Sequence, residues 1–173
     1  STFCMASIWN MYSLPERLAG SPVHISDGPR IENDTPARCI NCAMALETEG
    51  KVLDPEVAIA GVEGLFKRPQ FGFYLVAEVD GLPAATLMVT YEWSDWRNGL
   101  FWWIQSVYVA SEFRRQGIYR AMYLQLQFMA KASSIPVCGF RLYAETENHN
   151  AQATYKDCGM KVCDYIMFEQ GTG

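Results

Sequence analysis

Tyr108–Leu126 reads YVASEFRRQGIYRAMYLQL. Its front end closes the apolar run LFWWIQSVYV at 100–109. That run falls well short of the roughly 20 residues a membrane-spanning helix needs. It is apolar on both alternating faces, the pattern of a central strand covered on both sides. From Gly117 to about Lys131 the period changes: Ile118, Met122, Leu126 and Met129 share one helical face, while Arg120, Gln127 and Lys131 take the other. Arg114, Arg115, Gln116 and Gly117 sit at the seam. Strand, short loop and helix in this order place the unpaired first amides of the helix, and the positive end of its dipole, at the strand's end. Gly117 permits close approach to the backbone, and Arg114, Arg115 and Arg120 add charge. A helix start dressed with solvated arginines is the other reading, and this stretch alone leaves both open. A Walker loop is excluded by the missing glycine, lysine and Ser/Thr pattern, and a dinucleotide loop by the single glycine.

Working outward, PVHIS at 22–26 predicts a first strand. Asp34 or Thr35 with Pro36 starts a helix to about Glu49, and Asp54-Pro55 starts a second that ends near Lys67, before Pro69. FGFYLVAEV and LPAATLMVTYEW flank Asp80-Gly81, a strong hairpin signal. After the central strand and its helix come the strand GFRLYAE (139–145), a short helix from Asn150 to Cys158 closed by Gly159, and a last strand, KVCDYIMFE (161–169). Hairpins and helical crossovers in one chain give an α/β domain with a mixed sheet. No linker or repeat divides it: one domain is expected over 21–173, with 1–20 as an N-terminal arm outside the functional argument.

Composition narrows the function classes. The chain has 173 residues, half of them apolar and 13% aromatic, enough for a packed core. Net charge is −5, which argues against nucleic acid as partner, since that affinity rests on phosphate neutralisation. No stretch reads as a membrane span and residues 1–20 do not resemble an export signal, so a cytoplasmic protein is expected. Cys39 and Cys42 form CINC within a helix-like stretch, but no second close pair follows and His24 and His149 do not complete a finger spacing; no metal is expected.

The chain resembles the GNAT superfamily of acetyl-CoA-dependent N-acetyltransferases. Their signature after the fourth strand, Gln/Arg-x-x-Gly-x-Gly/Ala, is matched in its first four positions by Arg114-Arg115-Gln116-Gly117, with Ile118 next and Tyr119 in place of the small residue. Downstream, Asn148-x-x-Ala151-x-x-x-Tyr155-x-x-x-Gly159-Met160 looks like the family's ending. The element order agrees from about Pro22 to Glu169. The resemblance implies a GNAT fold, a mixed central sheet flanked by helices on both faces. It implies that Val107, Tyr108 and Val109 pair by main chain with the pantetheine arm. The amides of Arg115, Gln116, Gly117, Ile118, Tyr119 and Arg120 would hold the pyrophosphate, with Arg114 at the head of the motif. Asn148 would bond the pantetheine, Ala151 would belong to the same cofactor site, and Tyr155 would lie near the thioester sulfur. Dimers are common in that family, so a homodimer is one arrangement the analogy allows.

The implied reaction is direct attack of a small-molecule or peptide amine on acetyl-CoA. An alkyl ammonium, with a pKa near ~10, must first lose a proton. The glutamate some members use on the fourth strand aligns with Trp103, so Glu92, in TYEWSDWR, is the expected base, ahead of Asp95 and Glu145. The oxyanion needs donors in place, expected from the amide of Val109 or a neighbour. Tyr155 suits the acid that protonates the leaving thiolate. Gln105 and Ser106, polar within an apolar strand, should be paired or line a polar pocket. Tyr91, Trp93, Trp96, Trp102 and Trp103 are either core or an aromatic wall for an amine. The rival expectation is a catalytically silent acyl-CoA sensor of the same fold.

Overall fold

The computed structural model describes residues 23–27 and 54–172. The expected first helix, the CINC pair and the N-terminal arm lie outside the described residues. Five strands form one sheet in chain order: β1 (Val23–Asp27), β2 (Gly72–Val79), β3 (Leu82–Ser94), β4 (Gly99–Val109) and β5 (Val137–Arg141). β1 to β4 pair antiparallel, and β5 joins β4 in parallel after a helical crossover. Parallel neighbours require such a crossover, and the sheet is mixed as expected.

Helix α1 spans Pro55–Phe66. Asp54 caps it, with Oδ1 accepting from the Glu56 N–H at 2.9 Å, and Pro55 fills the first position. Between β2 and β3, Asp80 (φ 52°) and Gly81 (φ 76°) are both left-handed, the geometry that matches the twist of a two-residue hairpin.

The sheet has two distinct faces. Leu75, Ala77, Leu87, Val89, Trp102 and Ile104 are buried against Ile118, Tyr119, Met122, Tyr123 and Leu126 of helix α2 (Ile118–Ala132). The apolar stripe read from the sequence is therefore the face that closes the core. Truncating its buried Leu126 to alanine would cost about 2–5 kcal/mol. On the other face, Phe66 of α1 meets Tyr74 of β2, with ring centroids 5.3 Å apart.

Helix α3 covers His149–Asp157, one residue earlier than expected. Asn148 caps it by accepting from the Ala151 N–H at 3.1 Å, and left-handed Gly159 (φ 90°) closes it. Thr154 is exposed, its hydroxyl donating to the Asn150 carbonyl at 3.0 Å, whereas Ala151, Tyr155 and Cys158 are half-buried.

Two expectations about strands are corrected. β5 starts and ends earlier than GFRLYAE, and 161–169 forms no strand. The first correction follows from a bulge in β4. Leu87 pairs with Val107 and Val89 with Ile104, so Gln105 and Ser106 together oppose Met88. The bulge reverses the strand's alternation: Trp102 and Ile104 face α2 before it, Val107 and Val109 after it. β5 keeps pace with β4 only to the Trp103–Arg141 pair just before the bulge. For the second, β5 is the last strand of the sheet and, among the described residues, no strand pairs with 161–169.

Candidate active site

The early end of β5 leaves a fork. β4 continues six residues beyond its last partner on β5, from Ile104 to Val109, while the chain after Arg141 departs. Over this length β3 is the one strand that pairs with β4 among the described residues, and the second edge of a strand carries main-chain donors and acceptors.

The seam lies at the open end of the fork. A single 3₁₀ turn, Ser111–Phe113, leads from β4 into it. Arg115 (φ 61°) and Gly117 (φ 78°, ψ 10°) are both left-handed, and left-handed residues in such a loop turn successive N–H groups toward one concave side. The first amide of α2 to find a backbone acceptor is that of Ala121, on the Gly117 carbonyl at 3.0 Å. The amides ahead of it stand at the positive end of the helix.

The side chains at the seam divide into two groups. Arg114 turns back: its Nε donates to the Val109 carbonyl at 2.8 Å and its guanidinium lies over the Tyr108 ring. Gln116 also turns back, with Nε2 donating to the Glu112 carbonyl at 2.9 Å. These two hold the loop to the end of β4. Arg115 and Arg120 are exposed and carry the charge of the seam outward.

Tyr119 does not enter the concave side. Its ring is 7% exposed, packed among α2, the sheet and α3, stacked beside Tyr123 and edge-on to Tyr155. Its hydroxyl is buried with no partner among the described residues. Burial pushes the phenols of both Tyr119 and Tyr155 above the ordinary tyrosine range. Tyr155 therefore stays protonated, and able to donate, well into alkaline solution.

A polar cluster stands at the crotch of the fork, on the sheet face away from α2. Glu92 of β3 bonds both members of the last β4–β5 pair: Oε1 accepts from Arg141 Nη1 at 2.8 Å, and Oε2 accepts from the Trp103 indole N–H. The Arg141 guanidinium also lies 3.7 Å from the centroid of Phe101. Gln105, at the bulge, donates through Nε2 to Thr90 Oγ1 at 3.0 Å and accepts from the Tyr143 hydroxyl at 2.8 Å. Trp103 and Tyr143 form an aromatic wall beside it, with centroids 6.3 Å apart.

The expected candidates thus sort by position. Gln105 is paired, as its place in an apolar strand demands. Trp102 belongs to the core and Trp103 to the wall. Tyr91 packs against Phe73 and Trp102, whereas Trp96 is 90% exposed and Trp93 is also exposed. Asp95 receives the N–H of its neighbour Trp96 in the β3–β4 turn, and Glu145 is exposed beyond β5; neither joins the cluster. Sequence reasoning missed Arg141, Tyr143 and Thr90. The available signal was an arginine within a strand, a residue that needs a buried or half-buried anion opposite it.

Comparisons with known proteins agree with this geometry. The profile described as the acetyltransferase (GNAT) family matches residues 33–160. A possible acetyltransferase from Clostridium difficile 630 shares 41% identity, over 87% of this chain and 97% of that one, at a TM-score of 0.79. An aminoglycoside N-acetyltransferase in complex with CoA has the same fold at 12% identity, covering 93% of this chain and all of that one, with a TM-score of 0.69. A ribosomal-protein-alanine N-acetyltransferase from Brucella melitensis biovar Abortus 2308 does so at 14% identity, covering 87% and 99%, with a TM-score of 0.68. Among curated proteins no significant match was found.

Proposed function

The chain belongs to the acetyltransferase (GNAT) family, an acetyl-CoA-dependent acyltransferase family, and from that premise we propose that it transfers the acetyl group of acetyl-CoA to a primary amine of a small molecule or peptide. The observation that carries this reading is the fork. A stretch of β4 that β5 does not flank meets the first amides of α2, a combination suited to a ligand with an amide-bearing arm and a diphosphate at one end.

On this reading the residues divide the work. Val107, Tyr108 and Val109 bond the arm through their main chain. The amides of Arg115 to Arg120 hold the diphosphate, with the Arg115 and Arg120 side chains contributing charge and Arg114 bracing the loop. Asn148 has spent its Oδ1 on the helix cap, so its Nδ2 group is the one left to donate to the arm. Bound acetyl-CoA supplies an activated thioester. Tyr155, kept protonated by burial, donates the proton the leaving sulfur needs.

The acceptor enters from the opposite face, where Glu92, Gln105, Trp103 and Tyr143 stand. Glu92 receives the amine's proton, directly or through water; its carboxylate offers about four lone-pair sites, and two donors from the described residues occupy it. Trp103 and Tyr143 present ring faces to a cationic acceptor before it is deprotonated. Acetyl donor and amine are thereby separated by the sheet and meet only through the fork.

Thiol release from acetyl-CoA, followed across a panel of amino sugars, polyamines, amino acids and peptides, tests the reading. Release that depends on one class of amine supports it. Binding of acetyl-CoA without amine-dependent release from any class would count against transfer.

A further inference from the structure

The proposed base shares its place on the sheet with a cation. Glu92 Oε1 accepts from Arg141 Nη1 at 2.8 Å, yet the two side chains stay 40% and 33% exposed. A guanidinium carries five N–H donors in one plane. Among the described residues Glu92 takes a hydrogen bond from one of them, and a third of the side chain remains open to a ligand.

The strands around Arg141 hold that plane in place. Gly139 pairs with Phe101 and Arg141 with Trp103, and residues two apart on a strand share a face. A Cβ added at Gly139 would stand 3.1 Å from Cε1 of Phe101. With glycine there the ring has room, and the Arg141 guanidinium lies over it, 3.7 Å from its centroid and 5.9 Å from that of Trp103. A planar cation fixed by a ring and a carboxylate keeps its other donors in a set geometry, which suits two-point capture of a second carboxylate.

The sign of the cluster narrows the acceptor. Glu92 and Arg141 cancel, and Thr90, Gln105, Trp103 and Tyr143 add no charge. Asp95 and Glu145 stand outside the cluster. A polyamine would find one carboxylate, already paired, and a fixed cation that repels its further charges. A molecule with an ammonium and a carboxylate close together meets each member of the pair with the opposite sign.

We propose that the acceptor is a zwitterion, an amino acid whose amine is delivered to Glu92 and whose carboxylate is held by the remaining donors of Arg141. The inference rests on the acceptor site proposed above and narrows its substrates from primary amines in general to amines that carry a carboxylate. Arg141 sets specificity and takes no part in the proton transfer.

Acetyl transfer to amino acids, each set against its own carboxamide, tests the proposal. The two differ by one charge and keep the same side chain. The amide's amine loses its proton more readily, so a preference for the acid runs against the chemical bias. In the unaltered protein the acid should exceed its amide in kcat/KM by about 10–100-fold. Arg141→Met should bring that ratio close to one, mainly by raising the KM of the acid. Equal use of acid and amide by the unaltered protein overturns the inference and leaves acetyl transfer to amines standing. A variant that loses both activities alike, with the ratio kept, overturns it too. Release with no class of amine counts against the functional reading instead. Calorimetry of the same pairs on the CoA-saturated protein then reads the preference without turnover. Tighter binding of the acid supports the inference, and binding of neither, or of both equally, overturns it.

Discussion

The ring of Tyr119 meets that of Tyr155 edge to face, centroids 5.4 Å apart and planes inclined by 63°. Tyr119 occupies the position where the family signature has a small residue, yet its side chain packs against the proposed acid instead of entering the concave side of the seam. Restoring the small residue should therefore harm the protein. Tyr119→Ala is expected to cost about 3–5 kcal/mol, as for other large-to-small changes in a core. Tyr119→Phe removes only an orphaned hydroxyl and should leave stability unchanged or raise it by about 1 kcal/mol. Urea denaturation of the two variants checks both signs.

Alkaline stability follows from the same pair. Burial raises both phenols, so the unfolded chain loses those protons near pH ~10 while the folded chain keeps them. Their contribution to stability is complete below that pH and shrinks as pH rises above it, because the unfolded state then binds fewer protons. Thermal melts across this range should show the decline, and Tyr119→Phe should make it shallower. An identical decline in the variant would contradict the burial argument.

Tyr155→Phe keeps the ring and removes the proton. Turnover should fall about 10²–10⁴-fold, with acetyl-CoA affinity, read by calorimetry, nearly unchanged. Unaltered turnover would remove Tyr155 from the acid role.

Glu92 is tied to Arg141 and Trp103, so a base and a strut must be told apart. As a base, Glu92→Gln lowers turnover about 10²–10⁴-fold and leaves the acetyl-CoA KM close to that of the parent. Arg141→Met removes the guanidinium and keeps the carboxylate. Because that ion pair is partly exposed, the loss of stability should stay within about 1 kcal/mol. Turnover lost equally in both variants would mark the cluster as a strut.

The sequence revealed most of this wherever a local rule governs. The Asp54-Pro55 start, the Asp80-Gly81 turn and the α2 stripe depend on neighbours a few residues away, and all three stand where they were expected. The fork was not legible. It arises from one extra residue in β4 relative to β3, and the polarity of Gln105 and Ser106 marked that place without revealing its geometry. The Glu92–Arg141 bond joins residues 49 positions apart in sequence, beyond any periodicity. The 161–169 segment has a strand's pattern and no strand partner among the described residues; pattern encodes a face, and pairing needs an edge within reach.

Hydrogen exchange with and without acetyl-CoA reads the central claim most directly, since that claim concerns individual amides. Protection on binding should rise at residues 107–109 and 115–120 together, with β1 and β2 unaffected. Binding that leaves both stretches exchanging as before would contradict the account.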